Sequence, residues 1–254
     1  MSRIGRVAWS LAGVSLFVAA WAVATRHAPP SGVPGPAATL RGLLDVARSG
    51  ALVRNVVASV FRVAVGFTLG TLAGVPLGLW IGWHARAHAF FNPVLQALRP
   101  ISPIAWLPIA TLWLGSGDSA AVFLIFLSSF FPIVVAAAAA VRTIDRRYLR
   151  AAENFGVHSI ALARTVILPA SLPQIFTGLR VALGVGWVVV VAAEMLGVTS
   201  GLGYQINDAR NNLRFDLVVA AMVVIGAIGY MLDGLLRALE RRAFVYRSAR
   251  DGAR

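Results

Sequence analysis

The residues that could do chemistry are few and far apart. The four histidines, His27, His84, His88 and His158, are scattered and lack the spacing of a metal site. Cysteine is absent, which removes disulfides, thiol nucleophiles and thiolate-bound metals together. No GxxxxGKS/T loop occurs, so any ATP chemistry must come from a partner. A membrane enzyme acting on lipids would need His, Asp or Ser clustered near the interface, and the scattered histidines offer no such set. Among the carboxylates, Glu194 stands out because it lies inside a long apolar run. Such a group should be paired, water-facing or turned toward a bundle interior. It is therefore either a gate or pathway residue, or half of a structural ion pair with Arg180 or Arg62.

The elements that must carry these groups are membrane helices. Of the 254 residues 58% are hydrophobic and only 13% charged, with a mean hydropathy of +0.77. A soluble domain carries about 25% charged residues. Apolar runs of 18 or more residues mark spans, and the chain is read as an all-α integral membrane protein. Six spans are expected: Val7–Thr25, Asn55–Trp83, Phe91–Leu114, Ser119–Val141, Gln174–Val198 and Asp216–Leu236. The first could pass for a cleaved secretory signal; its length and the spans that follow favour an uncleaved helix. Between it and the second, Leu40, Leu43, Leu44, Ala47, Ala51 and Leu52 recur near helical spacing, as in a helix lying along the membrane face.

In the second span Gly66, Gly70, Gly74, Gly78 and Gly82 fall on one helix face, a pattern for close helix packing. Pro76 should bend that helix, and Arg62, near its outer end, is expected to snorkel to the headgroups. Pro100, Pro103 and Pro108 preclude an unbroken third span, leaving either a pathway wall or a distorted, sealed entrance. Ser102, Trp106, Ser128, Ser129, Trp187 and Glu194 are the candidate pathway residues; each of the serines and tryptophans is also explicable as packing. Asp233 is expected to pair with Arg237 one turn on.

The net charge of +13 comes from 23 basic residues, all arginine, without any nucleic-acid signature. Six spans with an internal N-terminus put Arg3, Arg6, Arg86, Arg142, Arg146, Arg147, Arg150, Arg164 and the tail arginines inside, against Arg26, Arg41, Arg48, Arg54, Arg210 and Arg214 outside. That bias follows the positive-inside rule. It places the polar island Tyr148–Pro173, YLRAAENFGVHSIALARTVILPASLP, in the cytoplasm. The island reads as two short helices. Asp145 can cap the first, Gly156 ends it, and Ser159 can cap the second, which runs to Pro169. A helical knob of this kind suits docking into a partner's groove.

Ala151, Ala152 and Gly156, followed by Val166, Leu168 and Pro169, resemble the EAA loop of ABC-importer permeases. LRPISPIAWLPIATLWLG, VAAEMLGVTSGLGY and FDLVVAAMVVIGAIGYMLD are similar to the nitrate/sulfonate/bicarbonate group of these permeases, and the resemblance covers roughly Asn55 to Glu240. It implies a type I importer (MetI-like) permease fold with three parts: residues 1–54, a helix and connector; 55–240, the core with coupling loop 142–173; and 241–254, a basic tail. It implies a non-enzymatic subunit without cofactor, working as a homodimer in the bacterial plasma membrane, both termini cytoplasmic. Cytoplasmic ATP-binding subunits would grip the knob, and an extracytoplasmic binding protein would deliver the substrate. The coupling residues implied are Arg150, Ala151, Ala152, Glu153, Gly156, Leu168 and Pro169. One departure stands out: the family's leading Glu falls at Arg150, while Glu153 sits where a basic residue is common. Either Glu153 takes the acidic role or the ATPase surface has compensated. Aliphatic sulfonates such as taurine are the first substrate expectation, with nitrate, bicarbonate and aromatic acids open. A stand-alone secondary transporter would show an inverted repeat, and no convincing one is found.

Overall fold

The computed structural model describes residues 3–26 and 32–251, and every regular element among them is helical. In chain order these are α1 (Arg3–Ala24), α2 (Pro36–Arg48), α3 (Ala51–Trp83), α4 (Ala85–Leu98), a 3₁₀ turn (Pro103–Trp106), α5 (Leu107–Leu114), α6 (Asp118–Arg142), α7 (Arg146–Asn154), α8 (Ser159–Leu162), a π turn (Ala163–Ile167), α9 (Leu168–Gly197), α10 (Leu202–Asn211) and α11 (Phe215–Asp251). Four of the described helices are long and apolar enough to cross a membrane: Ala51–Trp83, Asp118–Arg142, Ala163–Gly197 and Phe215–Arg242. Shorter apolar helical stretches at Ala12–Ala24 and Pro103–Leu114 lie within the first and third expected spans.

The bundle is organised around α6. Half of its apolar window is buried (50%), against 11% for α11, so α6 is the central post and α11 a helix mostly facing outward. The contact between α3 and α6 follows from the glycine face. A Cβ at Gly66 would stand 2.8 Å from Ile125 Cβ, and one at Gly82 only 2.6 Å from the Ala138 carbonyl oxygen. With hydrogen in place of a side chain, the two backbones approach until α3 lies directly on Ser129, Ile133 and Val134.

Several expectations are corrected. The third span does not begin at Phe91: α4 starts at Ala85, residues 99–102 are non-helical, and the chain resumes as a 3₁₀ turn before α5. The cause is the proline trio: each proline removes a backbone donor, and Ser102 before Pro103 is held extended at ψ 128°, although Arg99 and Leu107 before the other two keep helical backbone angles. The second span begins at Ala51, directly after Gly50 at φ +72° ends the connector. The connector does form a helix, α2, and its Leu40 and Leu44 turn away from the bundle, as in a helix lying along a membrane face. Both are exposed, while Thr39, Gly42 and Val46 are buried. Gly42 lies against the Asp216 carbonyl and Leu217 of α11, because small residues allow close packing when the outward side can meet lipid. The stretch Thr199–Phe215, expected as an outer loop, is mostly the helix α10. Finally, the island's second helix does not stop at Pro169. It runs through the π turn into α9, where Pro169 occupies the first turn and its missing N–H is not needed.

Candidate functional site

The island emerges as a capped knob. Asp145 Oδ1 accepts the Arg147 backbone N–H at 2.8 Å, capping the start of α7. At the other end Gly156 takes φ +76°, and Val157 N donates to the Ala152 carbonyl at 3.0 Å, a Schellman closure. Arg150, Ala151 and Gly156 are exposed, and Ala152 and Pro169 half-buried. Glu153 lies on the same short helix, but its side chain is outside the described residues, and so is any pairing with Arg150. Leu168 is partly exposed where the knob joins the span. Two aromatics project most: Tyr148 is 69% exposed and Phe155 86%. Thr143 Oγ1 donates to Gln174 Oε1 at 2.9 Å, tying the chain entering the island to the chain leaving it.

At the opposite end of the bundle lies a buried polar cluster. Asn55, Ser59 and Arg62 occupy the same face of α3 that continues as the glycine row. Arg62, 1% exposed, donates through Nη1 to Glu194 Oε1 (2.6 Å) and to the Ser200 carbonyl (2.8 Å). Its Nε and Nη2 reach Asp118 Oδ1 at 2.9 and 2.6 Å, and Nη2 also reaches Ser200 Oγ at 2.6 Å. Ser59 Oγ donates to Glu194 Oε2 at 2.8 Å and accepts from Leu202 N at 2.9 Å. Gly203 N donates to Glu194 Oε2 at 3.0 Å, and Gly201 N to Asn55 Oδ1 at 3.1 Å. Asn55 Nδ2 in turn donates to Gln205 Oε1 at 3.0 Å. The first backbone donors of α10 are thus met by side chains of α3 and α9, which is why a polar loop sequence folds into a packed helix there.

Arg62 therefore does not snorkel to headgroups. A guanidinium with two carboxylates and a carbonyl in reach is better satisfied inside than at the interface. Of the two partners considered for Glu194, Arg62 is the one present; Arg180 instead pairs with Glu240 and, at 3.7 Å, with Asp233. Asp233 also meets Arg237 one turn on, as the spacing indicates. Sequence reasoning passed over Asn55, Ser59, Asp118, Ser200 and Gln205. One signal was available: polar residues at 55, 59 and 62 share the face that continues at Gly66.

The candidate pathway residues do not form one group. Ser102 is exposed at the mouth of the 3₁₀ turn, and Trp106 is half-buried against the packing of Ala110, Ala121 and Leu124. Ser128 Oγ donates to the Ile125 carbonyl at 2.8 Å, and Ser129 Oγ finds no partner among the described residues. Trp187 Nε1 donates to the Ile225 carbonyl at 3.1 Å beside Gly229. Glu194 belongs to the polar cluster. No group of three or more His, Asp or Glu able to hold a metal occurs among the described residues.

A bundle of membrane-crossing helices around a buried charge cluster, with a capped knob at one end, is the build of a transporter's membrane subunit. The chain belongs to the family of binding-protein-dependent transport system inner membrane components, which matches residues 74–245. It is 36% identical over 228 residues to the taurine transport system permease protein TauC of Escherichia coli, covering 87% of this chain and 83% of that one. It is 32% identical over 220 residues to the putative aliphatic sulfonates transport permease protein SsuC of Bacillus subtilis (87% and 80%). The bicarbonate transport system permease protein CmpB of Synechococcus elongatus is 37% identical over 187 residues (73% and 67%). Among solved structures, a chain of the MetNI methionine ABC transporter in inward-facing conformations superposes with a TM-score of 0.62 at 18% identity, over 74% of this chain and 95% of that chain. The fold is thus that of an ABC-importer permease. As such the chain is a membrane-embedded transport subunit and not itself an enzyme.

Proposed function

We propose that this chain forms the passage for a small anion, an aliphatic sulfonate such as taurine first among them, across a bacterial plasma membrane. In this reading both termini and α7 face the cytoplasm, two copies form the passage, and a separate ATPase subunit on each copy receives the knob. The observation that carries it is the knob itself: an exposed, capped helix α7 bearing Tyr148, with Phe155 directly after it, packed on α8 and the π turn that run on into α9. A push on α7 passes through its contacts with α8 and the π turn to the helix that holds Trp187 and Glu194. Arg150, Ala151, Ala152, Glu153 and Gly156 would line the contact, with Leu168 and Pro169 at its junction with the span.

The charge layout supports a passage that does not trap its cargo. Arg62 and Arg180, the arginines set deepest in the spans, are already answered by carboxylates. Neither offers a bare cation to hold an anion, so affinity is left to the extracytoplasmic binding protein. The names of the sulfonate-transporting relatives support the substrate class, and the bicarbonate relative favours a second reading with the same machinery and an inorganic anion. The test is reconstitution with the cognate ATPase and binding protein in vesicles. ATP hydrolysis stimulated by taurine or an alkanesulfonate supports the first reading, and stimulation by bicarbonate or nitrate alone supports the second. Stimulation by none of these overturns both.

A further inference from the structure

Arg62 holds two carboxylates that differ in kind. Glu194 is sealed at 0% exposure, whereas the Asp118 side chain is 64% exposed. Arg62 and Glu194 form a neutral pair complete in itself, braced by Ser59 and Gly203. The Asp118 contact can therefore break without leaving a bare charge in the interior, because the released carboxylate already meets water. The segment leading into Asp118 is also free to turn. Gly115 and Gly117 sit at φ +78° and +131°, and a Cβ on either would find nothing within 4 Å. Before them α5 is short, ends in the exposed Leu112, Trp113 and Leu114, and follows the non-helical residues 99–102.

We propose that Asp118 is a releasable positioning residue for transport. Paired with Arg62, it pins the α5–α6 turn beside Ser200 and closes the end of the bundle remote from α7. Unpaired, it lets that turn swing while α3, α9 and the start of α10 stay together on the Arg62–Glu194 pair. This deepens the permease reading and rests on it only for the purpose of the movement, not for the movement itself.

The natural chain has no cysteine, so a spin-label pair can be placed at Ser116→Cys and Thr199→Cys, both exposed and outside the cluster. Distances are measured by pulsed electron paramagnetic resonance on the assembled transporter in vesicles. Asp118→Asn is expected to increase the longer-distance population several-fold, with melting temperature and yield unchanged. Asp118→Glu is expected to restore the parent distribution. Raising salt from about 0.1 M to about 1 M on that face should reproduce the Asn result in the parent, since exposed charges are screened. An Asn variant with the parent's distribution overturns the proposal, as does an insensitivity to salt. A Glu194→Gln variant that opens the turn equally without losing stability also overturns it, because Glu194 would then be no permanent partner. Anion-stimulated ATP hydrolysis in the unlabelled parent is scored separately: its absence alongside the distance shift refutes the anion-passage reading while leaving the latch standing.

Discussion

Replacing Glu194 by glutamine tests the central electrostatic claim, because it keeps the shape of the side chain, removes its charge and turns the acceptor facing Arg62 into an N–H donor. Arg62 then keeps a single counter-charge, Asp118, and that one is mostly in water. Breaking a buried ion pair by removing one partner costs about 3–5 kcal/mol. With Asp118 still in place and Ser59 and Gly203 still able to donate to the amide oxygen, the low end applies, about 3 kcal/mol. For a chain of this size each kcal/mol moves the melting temperature by roughly 2–4 °C, so a fall of about 6–12 °C is expected. Arg62→Gln should be worse, near 5 kcal/mol, because Glu194 at 0% exposure is then left either as an unpaired buried charge or neutralised at a cost. The double variant, Arg62→Gln with Glu194→Gln, should recover much of the loss, since it leaves no unpaired buried charge and the two amides can hydrogen-bond each other. Thermal melting of purified protein in one detergent, all four proteins side by side, is the assay. If the double variant falls by the sum of the two singles, the pair is not acting as a pair and the reasoning is refuted.

Other expectations follow from the same structure. Gly78→Leu should abolish or sharply reduce folded protein, because even a Cβ there would lie 2.5 Å from the Val134 carbonyl oxygen and 2.6 Å from Ala137 Cβ. The same change at Gly184, where a Cβ meets nothing within 4 Å, should leave yield unaltered, as read by fluorescence-detected size exclusion. Gly156→Ala should cost on the order of 1 kcal/mol through its left-handed backbone and weaken ATPase coupling more than it lowers melting temperature. Phe155→Ser should leave the isolated chain's stability unchanged yet reduce binding of the ATPase subunit about tenfold or more, as loss of an anchoring aromatic does; pull-down of the purified subunit measures it. Charge reversal at Arg150 and at Glu153, singly and together, should alter docking in at least one single variant; no effect in any rules these two out as contact residues.

What could be seen in the sequence was what repeats locally. The glycine row was legible because a spacing of four residues defines a helix face without knowledge of the partner, and α6 then supplied that partner. The caps of α7 were legible because Asp145 and Gly156 act within a few residues of themselves. The Arg62–Glu194 pair was legible only as one of two options and the Asp118 contact not at all, since these carboxylates lie 132 and 56 residues from Arg62 and no local pattern links them. α10 was missed for a related reason: its first donors are satisfied by Asn55, Ser59 and Glu194, so its helical state is a tertiary property. On α2 the leucine spacing marked the helix, but its packed side, Thr39, Gly42 and Val46, was not legible, because it is fixed by how closely Gly42 can approach Asp216 and Leu217 of α11. Trp187 and Glu194 could be singled out, but nothing local tells a lining residue from a packed one.

The π turn at Ala163–Ile167 makes the link between knob and span a matter of phase as well as reach. An α-helix advances roughly 100° and 1.5 Å per residue, and a π turn carries one residue more than an α-turn spends on the same revolution. Deleting one residue there would shorten the lever by little more than a bond length, yet it would turn Tyr148 and Phe155 to a different compass bearing relative to Trp187 and Glu194. An insertion of one residue would turn them the other way. Relatives able to share an ATPase subunit with this chain would then need the same angular setting at this turn, whatever residues they carry on α7.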